Sequence, residues 1–311
     1  MRVLVIGAGA LGGYFGARLF EAGRDVTFLV RPRRAEQLRQ GLVVKSAAGD
    51  VTLAKPPLVT ADRLNGPYDL VLLSCKAYDL ADAIEGFAPA VGPSTVVLPL
   101  LNGMAHLDVL NARFGAARVF GGQCVISATL NDQGHILHLN DMHSLTFGEQ
   151  GGGLSERAQA VEKVLSGAKF AAQASATILQ DMWEKWVFIA TGAGMTCLMR
   201  ATIGDIVAAG GAGLSLALIG ECASIAAAHG FAPRPAALER SRAMFTAAGS
   251  PITASMLRDI EHGARIEADH IIGDLLRRGE AQRTETALLR IVFAHLKAYE
   301  ARRRREQPAS A

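Results

Sequence analysis

Cysteine is scarce in this chain, at 4 of 311 residues. Cys75, Cys124, Cys197 and Cys222 lie far apart and form no C-x-x-C pair. That excludes a disulfide framework and a cysteine-based zinc site, and it suits a reducing, cytoplasmic compartment. Charge of one sign is also lacking. Thirty-two basic residues face 29 acidic ones, for a formal net charge of +3, too even a balance to predict a nucleic-acid partner. The one dense basic run, 302–305, reads as a solvated tail. Long hydrophobic runs are absent too. The longest uncharged stretches, 186–199 and 206–220, contain glycine and stop short of the ~20 apolar residues that span a bilayer. They are expected as buried core helices, with no membrane partner. The apolar start at 3–6 runs into glycines rather than a cleavage site, so no export signal is expected.

What the chain does have is alternation. Short β-rich runs at 2–6, 25–30, 69–74, 95–100 and 118–124 alternate with amphipathic stretches at 10–22, 77–87 and 104–114. This is the pattern of a mostly parallel sheet covered by helices. Gly23 and Gly115 sit where helix ends need them. Segments 42–46 and 50–54 read as a small hairpin. Asn131-Asp132-Gln133-Gly134 signals a turn in an antiparallel extension after Gln123. One helix at 154–165 follows, and 178–303 reads as helix throughout.

The expected fold is therefore α/β: a doubly wound parallel sheet over 1–172, an all-helical domain over 173–303 and a tail over 304–311. A ligand is expected at the seam of such a chain. The Ala/Gly-rich helices at 206–230 could pack within one subunit or across a homodimer, and the homodimer is preferred because closed twofold assemblies are common.

The sharpest local signal is Gly7-Ala8-Gly9-Ala10-Leu11-Gly12, a G-x-G-x-x-G that directly follows a buried strand and opens a helix. Gly7 permits the tight turn, Gly9 lets the backbone approach a pyrophosphate, and Gly12 allows close helix–strand packing. The free N–H groups of the helix N-terminus complete an anion cradle. Gly13 and Gly16 extend the small-residue face for packing. At the end of the second strand stands Arg31 rather than a carboxylate, with Arg33 and Arg34 close behind. An arginine there accommodates a 2′-phosphate, so NADP(H) is expected as cofactor rather than NAD(H).

Ligand groups gather beyond the carboxyl ends of the strands in an open α/β sheet. Lys76 and Asn102 emerge there, after the strands at 69–74 and 95–100. In the helical half, Trp183-Glu184-Lys185-Trp186 surrounds one lysine with bulky apolar neighbours. Partial desolvation of Lys185 would suit a general acid that protonates an alkoxide. Read without function, Lys185 snorkels to the surface or pairs with Asp181. The segment 255–269 reads as one long helix whose Glu267 lies near the apolar side marked by Ile260 and Ile266; Glu267 is either part-buried and in need of a donor or a surface acid paired with Arg258 or Arg265.

Together, the glycine turn, Cys75-Lys76-Ala77, Leu101-Asn102-Gly103-Met104, Trp183-Glu184-Lys185 and the 255–269 segment make the chain resemble the ketopantoate reductase (2-dehydropantoate 2-reductase) family over residues 2–303. The resemblance implies NADPH-dependent reduction of a 2-keto acid to a 2-hydroxy acid, a reaction of pantothenate biosynthesis, in a cleft between a Rossmann domain and a helical domain. It implies Lys185 as the catalytic proton donor, Glu267 at the hydroxyl end of the substrate and Ser255 near its carboxylate. Lys76 and Asn102 are implied as cofactor-proximal, with Asn102 also positioning the lysine beside the substrate, and Arg31 as the partner of the 2′-phosphate. The chain departs from the family at Ile189, Ala193, Ile203 and Ile252, which stand where substrate-binding asparagines are expected. A site built on hydrogen bonds loses affinity when its partners become aliphatic, so a more apolar keto acid or related carbonyl compound is expected as substrate.

Four other readings are weighed against this one. A 3-hydroxyacid or 6-phosphogluconate-type dehydrogenase shares the fold plan, but the paired signatures around Lys185 and Glu267 argue against it. A non-catalytic NADP(H)-binding sensor would keep the cradle without turnover. His135, His138 and His143 are near in sequence but lack helical spacing or a completing ligand, so no metal is expected. No G-x-S-x-G supports a hydrolase.

Overall fold

The computed structural model describes residues 1–306. They form two compact units, one made of Met1–Leu101 and His106–Leu179, the other of Asn102–Ala105 and the chain from Gln180 onward.

The first unit contains two sheets. Strands β1 (Arg2–Ile6), β2 (Asp25–Leu29), β5 (Leu58–Val59), β6 (Tyr68–Leu73) and β7 (Val91–Pro99) form a wholly parallel sheet in the order β5-β2-β1-β6-β7. Central β1 is buried from Val3 to Ile6, as expected of a parallel strand covered on both faces. Helices α1 (Ala10–Glu21), α2 (Pro32–Gln37), α3 (Leu80–Phe87) and α4 (Ala105–Phe114) connect or follow its strands. The second sheet runs β10 (Ala171–Ala174), β9 (Ile136–Glu149), β3 (Leu42–Lys45), β4 (Val51–Leu53), and β8 (Phe120–Leu130) pairs antiparallel with β9. Helix α5 (Glu156–Leu165) precedes β10. Phe15, Phe28, Phe120 and Phe147 are fully buried in a single core beneath both sheets.

The second unit is helical: α6 (Ile178–Met199), which opens in the last residues of the first unit, α7 (Ile203–Ala208), α8 (Ala212–Ala228), α9 (Pro235–Phe245), α10 (Ser255–Glu261), α11 (Asp274–Ala281) and α12 (Ala287–Glu306). Buried α6 satisfies its own hydroxyls, with Thr191 donating to the Val187 carbonyl and Thr196 to that of Gly192. The buried carboxylate of Glu221 on α8 accepts the Leu288 and Leu289 N–H groups at 2.9 and 3.0 Å, filling the orphan donors at the start of α12 with the charge its dipole favours. Burial pushes the thiols of Cys197 and Cys222 up to about 12, so both behave as small core residues rather than nucleophiles. No described helix is long and apolar enough to cross a membrane.

The architecture is the doubly wound sheet plus helical domain expected from the sequence, with four local differences. The hairpin at 42–54 forms, but joins the second sheet through parallel pairing of β3 with β9. Strand β10 lies where the sequence showed almost no strand signal, and it carries the α/β unit to Leu179 rather than 172. Helix α12 runs to Glu306, through the start of the expected tail, whose residues 307–311 lie outside the described chain. The single long helix expected over 255–269 is broken. Gly263, at φ +66°, ends α10; its N–H donates to the Ile260 carbonyl and the Ala264 N–H to that of Asp259. This is a Schellman stop, and a π-helical turn at Asp269–Gly273 leads into α11.

Candidate functional site

The turn after β1 has the geometry its glycines predict. Gly7 adopts φ +89°, and its N–H donates to the Leu29 carbonyl at 2.9 Å. A Cβ on Gly12 would stand 2.2 Å from both the Gly7 carbonyl oxygen and Ser74 Oγ, while one on Gly9 would meet nothing within 4 Å. Gly12 therefore serves helix–strand contact, and Gly9 leaves an open approach to the backbone. Gly9 caps α1 without a side chain, and no acidic residue occupies the first helical turn. That is the free, unopposed helix N-terminus an anion needs. Gly13 and Gly16 pack against Ile136 and the Phe28 ring, the packing role expected of them. These features fit a dinucleotide pyrophosphate.

Three of the groups the sequence singles out follow the strands on either side of β1, while Arg33 is exposed on α2. Lys76 is half-buried beyond β6, and its carbonyl accepts the Asp79 N–H at 2.9 Å. Arg31 follows β2 and is exposed, with Nη2 3.1 Å from Asp79 Oδ1 and 4.0 Å from Asp82 Oδ2. Arg34 is half-buried; its Nε donates to the Ala8 carbonyl at 3.0 Å and its Nη2 to the Gly134 carbonyl at 3.1 Å. Desolvation alone lowers the proton affinity of Arg34. The pairing of Arg31 with Asp79 and the hold of Arg34 on the glycine turn were both missed by the sequence reading. Each depends on which strands lie side by side. Among the three histidines, His138 and His143 stack with ring centroids 5.2 Å apart. Their Nδ1 atoms engage Ser46 at 2.9 Å and Tyr14 at 2.6 Å.

In the second unit, Lys185 is half-buried on α6 between two anchored neighbours. Trp186 donates from Nε1 to the Ile271 carbonyl at 2.9 Å. Glu184 accepts from Arg234 Nε and Nη2, both at 2.7 Å, and Arg234 also binds Asp181. Burial opposes ionisation of Glu184, but hydrogen bonds from Arg234 and Gln180 outweigh it and hold the carboxyl below its ordinary value. Successive helical residues point ~100° apart. Fixing residues 184 and 186 therefore fixes the rotation of α6 and the direction in which Lys185 leaves it.

Asn102 belongs to this same unit. The next residue, Gly103, adopts φ +77°, and a Cβ there would lie 3.0 Å from the His270 carbonyl oxygen and 3.2 Å from its ring. The ring of His270 is hydrogen-bonded to the main chain of Asn102, and the charges of Glu267 and Asp274 act on it. Half-buried Glu267 lies two residues before the π turn that carries His270. π turns recur at functional sites. His270 thus joins the Asn102 loop to the Glu267 segment. No local pattern signals this link, because it joins residues about 170 positions apart in the chain. Ser255 is exposed at the first position of α10, just after Ala254, whose N–H donates to Thr196 of α6.

Burial of His270 outweighs those carboxylates and lowers its proton affinity below the ordinary 6.5; His143 and His295 shift the same way. Below about pH 6.5 the unfolded chain therefore binds more protons than the folded one, and stability falls as pH falls through the window down to the folded value. The urea midpoint is expected to be lower at about pH 5.5 than at about pH 7.5. His270→Gln should shrink that difference, and an unchanged pH slope in the variant would remove His270 as its source.

The four aliphatic departures separate into two kinds. Ile203 is fully buried and Ala193 nearly so, whereas Ile189 is half-buried and Ile252 is 36% exposed. The Ile203 N–H donates to the Ile252 carbonyl at 3.0 Å. Ile203 and Ala193 are core residues here, and only Ile189 and Ile252 present apolar surface.

A glycine-rich dinucleotide turn in an α/β unit, joined to a helical unit carrying a lysine, an asparagine loop and an acid, defines an oxidoreductase of the Rossmann-plus-helical class. The particular family follows from comparison with known proteins. Residues 3–152 match the family model "Ketopantoate reductase PanE/ApbA", and residues 177–300 match its C-terminal counterpart. The chain belongs to the ketopantoate reductase family. It is 40% identical over 303 residues to an uncharacterized oxidoreductase of Bacillus subtilis, covering 97% of this chain and 99% of that one. It is 31% identical to the 2-dehydropantoate 2-reductase of Archaeoglobus fulgidus, covering 90% and 91%. The crystal structure of 2-dehydropantoate 2-reductase from Methylococcus capsulatus superposes with a TM-score of 0.87 at 28% identity, over 99% of both chains.

Proposed function

We propose that the protein reduces a 2-keto acid to the 2-hydroxy acid with NADPH. What supports this reading is the uncapped start of α1 after the glycine turn together with the family membership; Asn102, Lys185, Ser255 and Glu267 all fall within one compact unit, and Asn102 is bonded to His270, three residues after Glu267. NADPH, when bound, supplies the hydride that reaches the keto carbon. The N–H groups of Gly9, Ala10 and Leu11 at the uncapped start of α1 hold the pyrophosphate, and Arg31 meets the 2′-phosphate, with Lys76 nearby. The ammonium of Lys185 gives its proton to the oxygen that was the keto oxygen, completing the hydroxyl, and solvent reprotonates the amine. Glu267 accepts a hydrogen bond from a hydroxyl of the substrate, and Ser255 donates to the substrate carboxylate. Ile189 and Ile252, presenting methyl groups where asparagines would donate, favour a substrate with a more apolar body than ketopantoate.

The test is NADPH oxidation followed with ketopantoate beside a panel of branched aliphatic and aromatic 2-keto acids. A higher kcat/KM for the apolar members is expected. Tight NADPH binding with no oxidation by any member would overturn the reductase assignment and leave a dinucleotide sensor. In the same assay Arg31→Ala should weaken NADPH by about tenfold or more while changing NADH little, since an arginine–phosphate pair is charge-assisted and NADH lacks the phosphate. Equal loss for both nucleotides would remove Arg31 as the phosphate partner.

A further inference from the structure

We propose that Asp79 is a specificity-determining residue that narrows the preference for NADPH over NADH by competing for Arg31, an inference that rests on the cofactor reading above. Three observations carry it. The Arg31–Asp79 ion pair joins the segment after β2 to the segment after β6 at 3.1 Å. These are the two strands that flank β1, whose end opens into the glycine turn. The pair therefore crosses the carboxyl edge of the sheet beside the place where a dinucleotide's adenosine ribose lies, at the end of the second strand.

Asp79 also stands at the N-terminal boundary of α3, where an aspartate ordinarily caps the helix with its own carboxylate. It makes no such bond. Its carboxylate is given to Arg31, while its main chain is fixed by the bond to the Lys76 carbonyl. Asp79 is the more enclosed partner, with 26% of its side chain exposed against 65% for Arg31. The arginine can swing away and the acid cannot easily follow. Finally, Asp82 adds a second carboxylate at 4.0 Å from the same guanidinium, so the phosphate would arrive in a field already supplied with negative charge.

The two nucleotides meet this arrangement differently. To bind a 2′-phosphate, Arg31 exchanges one anion for another, and the phosphate is brought beside an unpaired Asp79 carboxylate. A ribose with a free 2′-hydroxyl needs no exchange, because Arg31 can stay on Asp79. Asp79 thus costs NADPH affinity through its hold on Arg31 and leaves NADH affinity nearly unchanged. Arg34 does not take part, since its guanidinium is held by the Ala8 and Gly134 carbonyls.

The test measures dissociation constants of NADPH and NADH by calorimetry on the full chain, without substrate, for the wild type, Asp79→Asn, Arg31→Ala and the double variant. Asp79→Asn is expected to shift the NADH-to-NADPH ratio of constants about twofold to fivefold in favour of NADPH, the scale of one exposed charge interaction. In the Arg31→Ala background the shift should shrink to less than half. An unchanged ratio in Asp79→Asn, or an equal shift without Arg31, overturns the proposal. A wild-type protein that binds neither nucleotide overturns the cofactor reading itself, whereas NADPH binding with an Asp79-independent ratio overturns this inference alone.

Discussion

Replacing Lys185 with alanine is expected to lower kcat for 2-keto acid reduction by about 10²-fold or more, the contribution of a positioned general acid, with NADPH bound within about twofold of wild type. The structure makes this substitution clean. Lys185 is half-buried, and α6 is held on either side of it by the Trp186 bond to Ile271 and the Arg234 clasp on Glu184. Alanine is a strong helix former, so the helix and its rotation should survive the truncation. A decrease in kcat with an unmoved NADPH constant then reports lost chemistry rather than lost fold. Lys185→Arg sharpens the result: the guanidinium keeps the charge but releases its proton too reluctantly to serve as an acid. Arginine is expected to keep substrate affinity without restoring kcat. Near-normal turnover in the alanine variant would assign the proton to another donor.

The parts of the fold that could be read from sequence were those written by adjacent residues. The strand, turn and helix from Arg2 to Glu21 carry their own instructions: a buried apolar run, glycines at fixed offsets and a small-residue helix face. Helix α10 also announced its stop in Gly263, but the apolar spacing of Ile260 and Ile266 concealed it by suggesting one continuous helix. Strand β10 was hidden because Ala171-Ala172-Gln173-Ala174 has weak strand propensity; it is a strand because β9 pairs with it. The candidate site divides in the same way. Lys185, Asn102 and Glu267 were legible as residue types in context, whereas the bridge from Asn102 through His270 and the Arg31–Asp79 pair arise from packing that no local pattern encodes. The aliphatic departures show the limit most clearly. Sequence alone weighed Ile203 and Ile252 alike, and only burial separates a core isoleucine from an exposed one.

Gly12→Ala is expected to be strongly damaging to the fold, and Gly9→Ala nearly harmless to the fold yet harmful to cofactor binding. The contrast follows from the space around each. A Cβ on Gly12 would stand 2.2 Å from the Gly7 carbonyl oxygen and from Ser74 Oγ, and 3.1 Å from Val5. Two of these neighbours are backbone or tied to it, since Ser74 Oγ donates to the Ile6 carbonyl at 2.7 Å. Relief requires α1 to move off β1, taking the buried Phe15 and Leu19 with it. Overpacking of that kind costs about 3 kcal/mol or more where the obstacle is backbone, which for a unit of this size lowers Tm by roughly 6–12 °C. Gly9, by contrast, has an extended backbone at φ −82°, ψ −161° and nothing within 4 Å of its would-be Cβ. Its alanine variant should melt within about 2 °C of wild type, yet bind NADPH at least about tenfold more weakly, because the methyl group occupies the approach of the pyrophosphate to the main chain. Thermal melts and NADPH titrations on the two variants separate the roles. Gly9→Ala binding NADPH as tightly as wild type would mean that the phosphates do not meet the backbone at this turn.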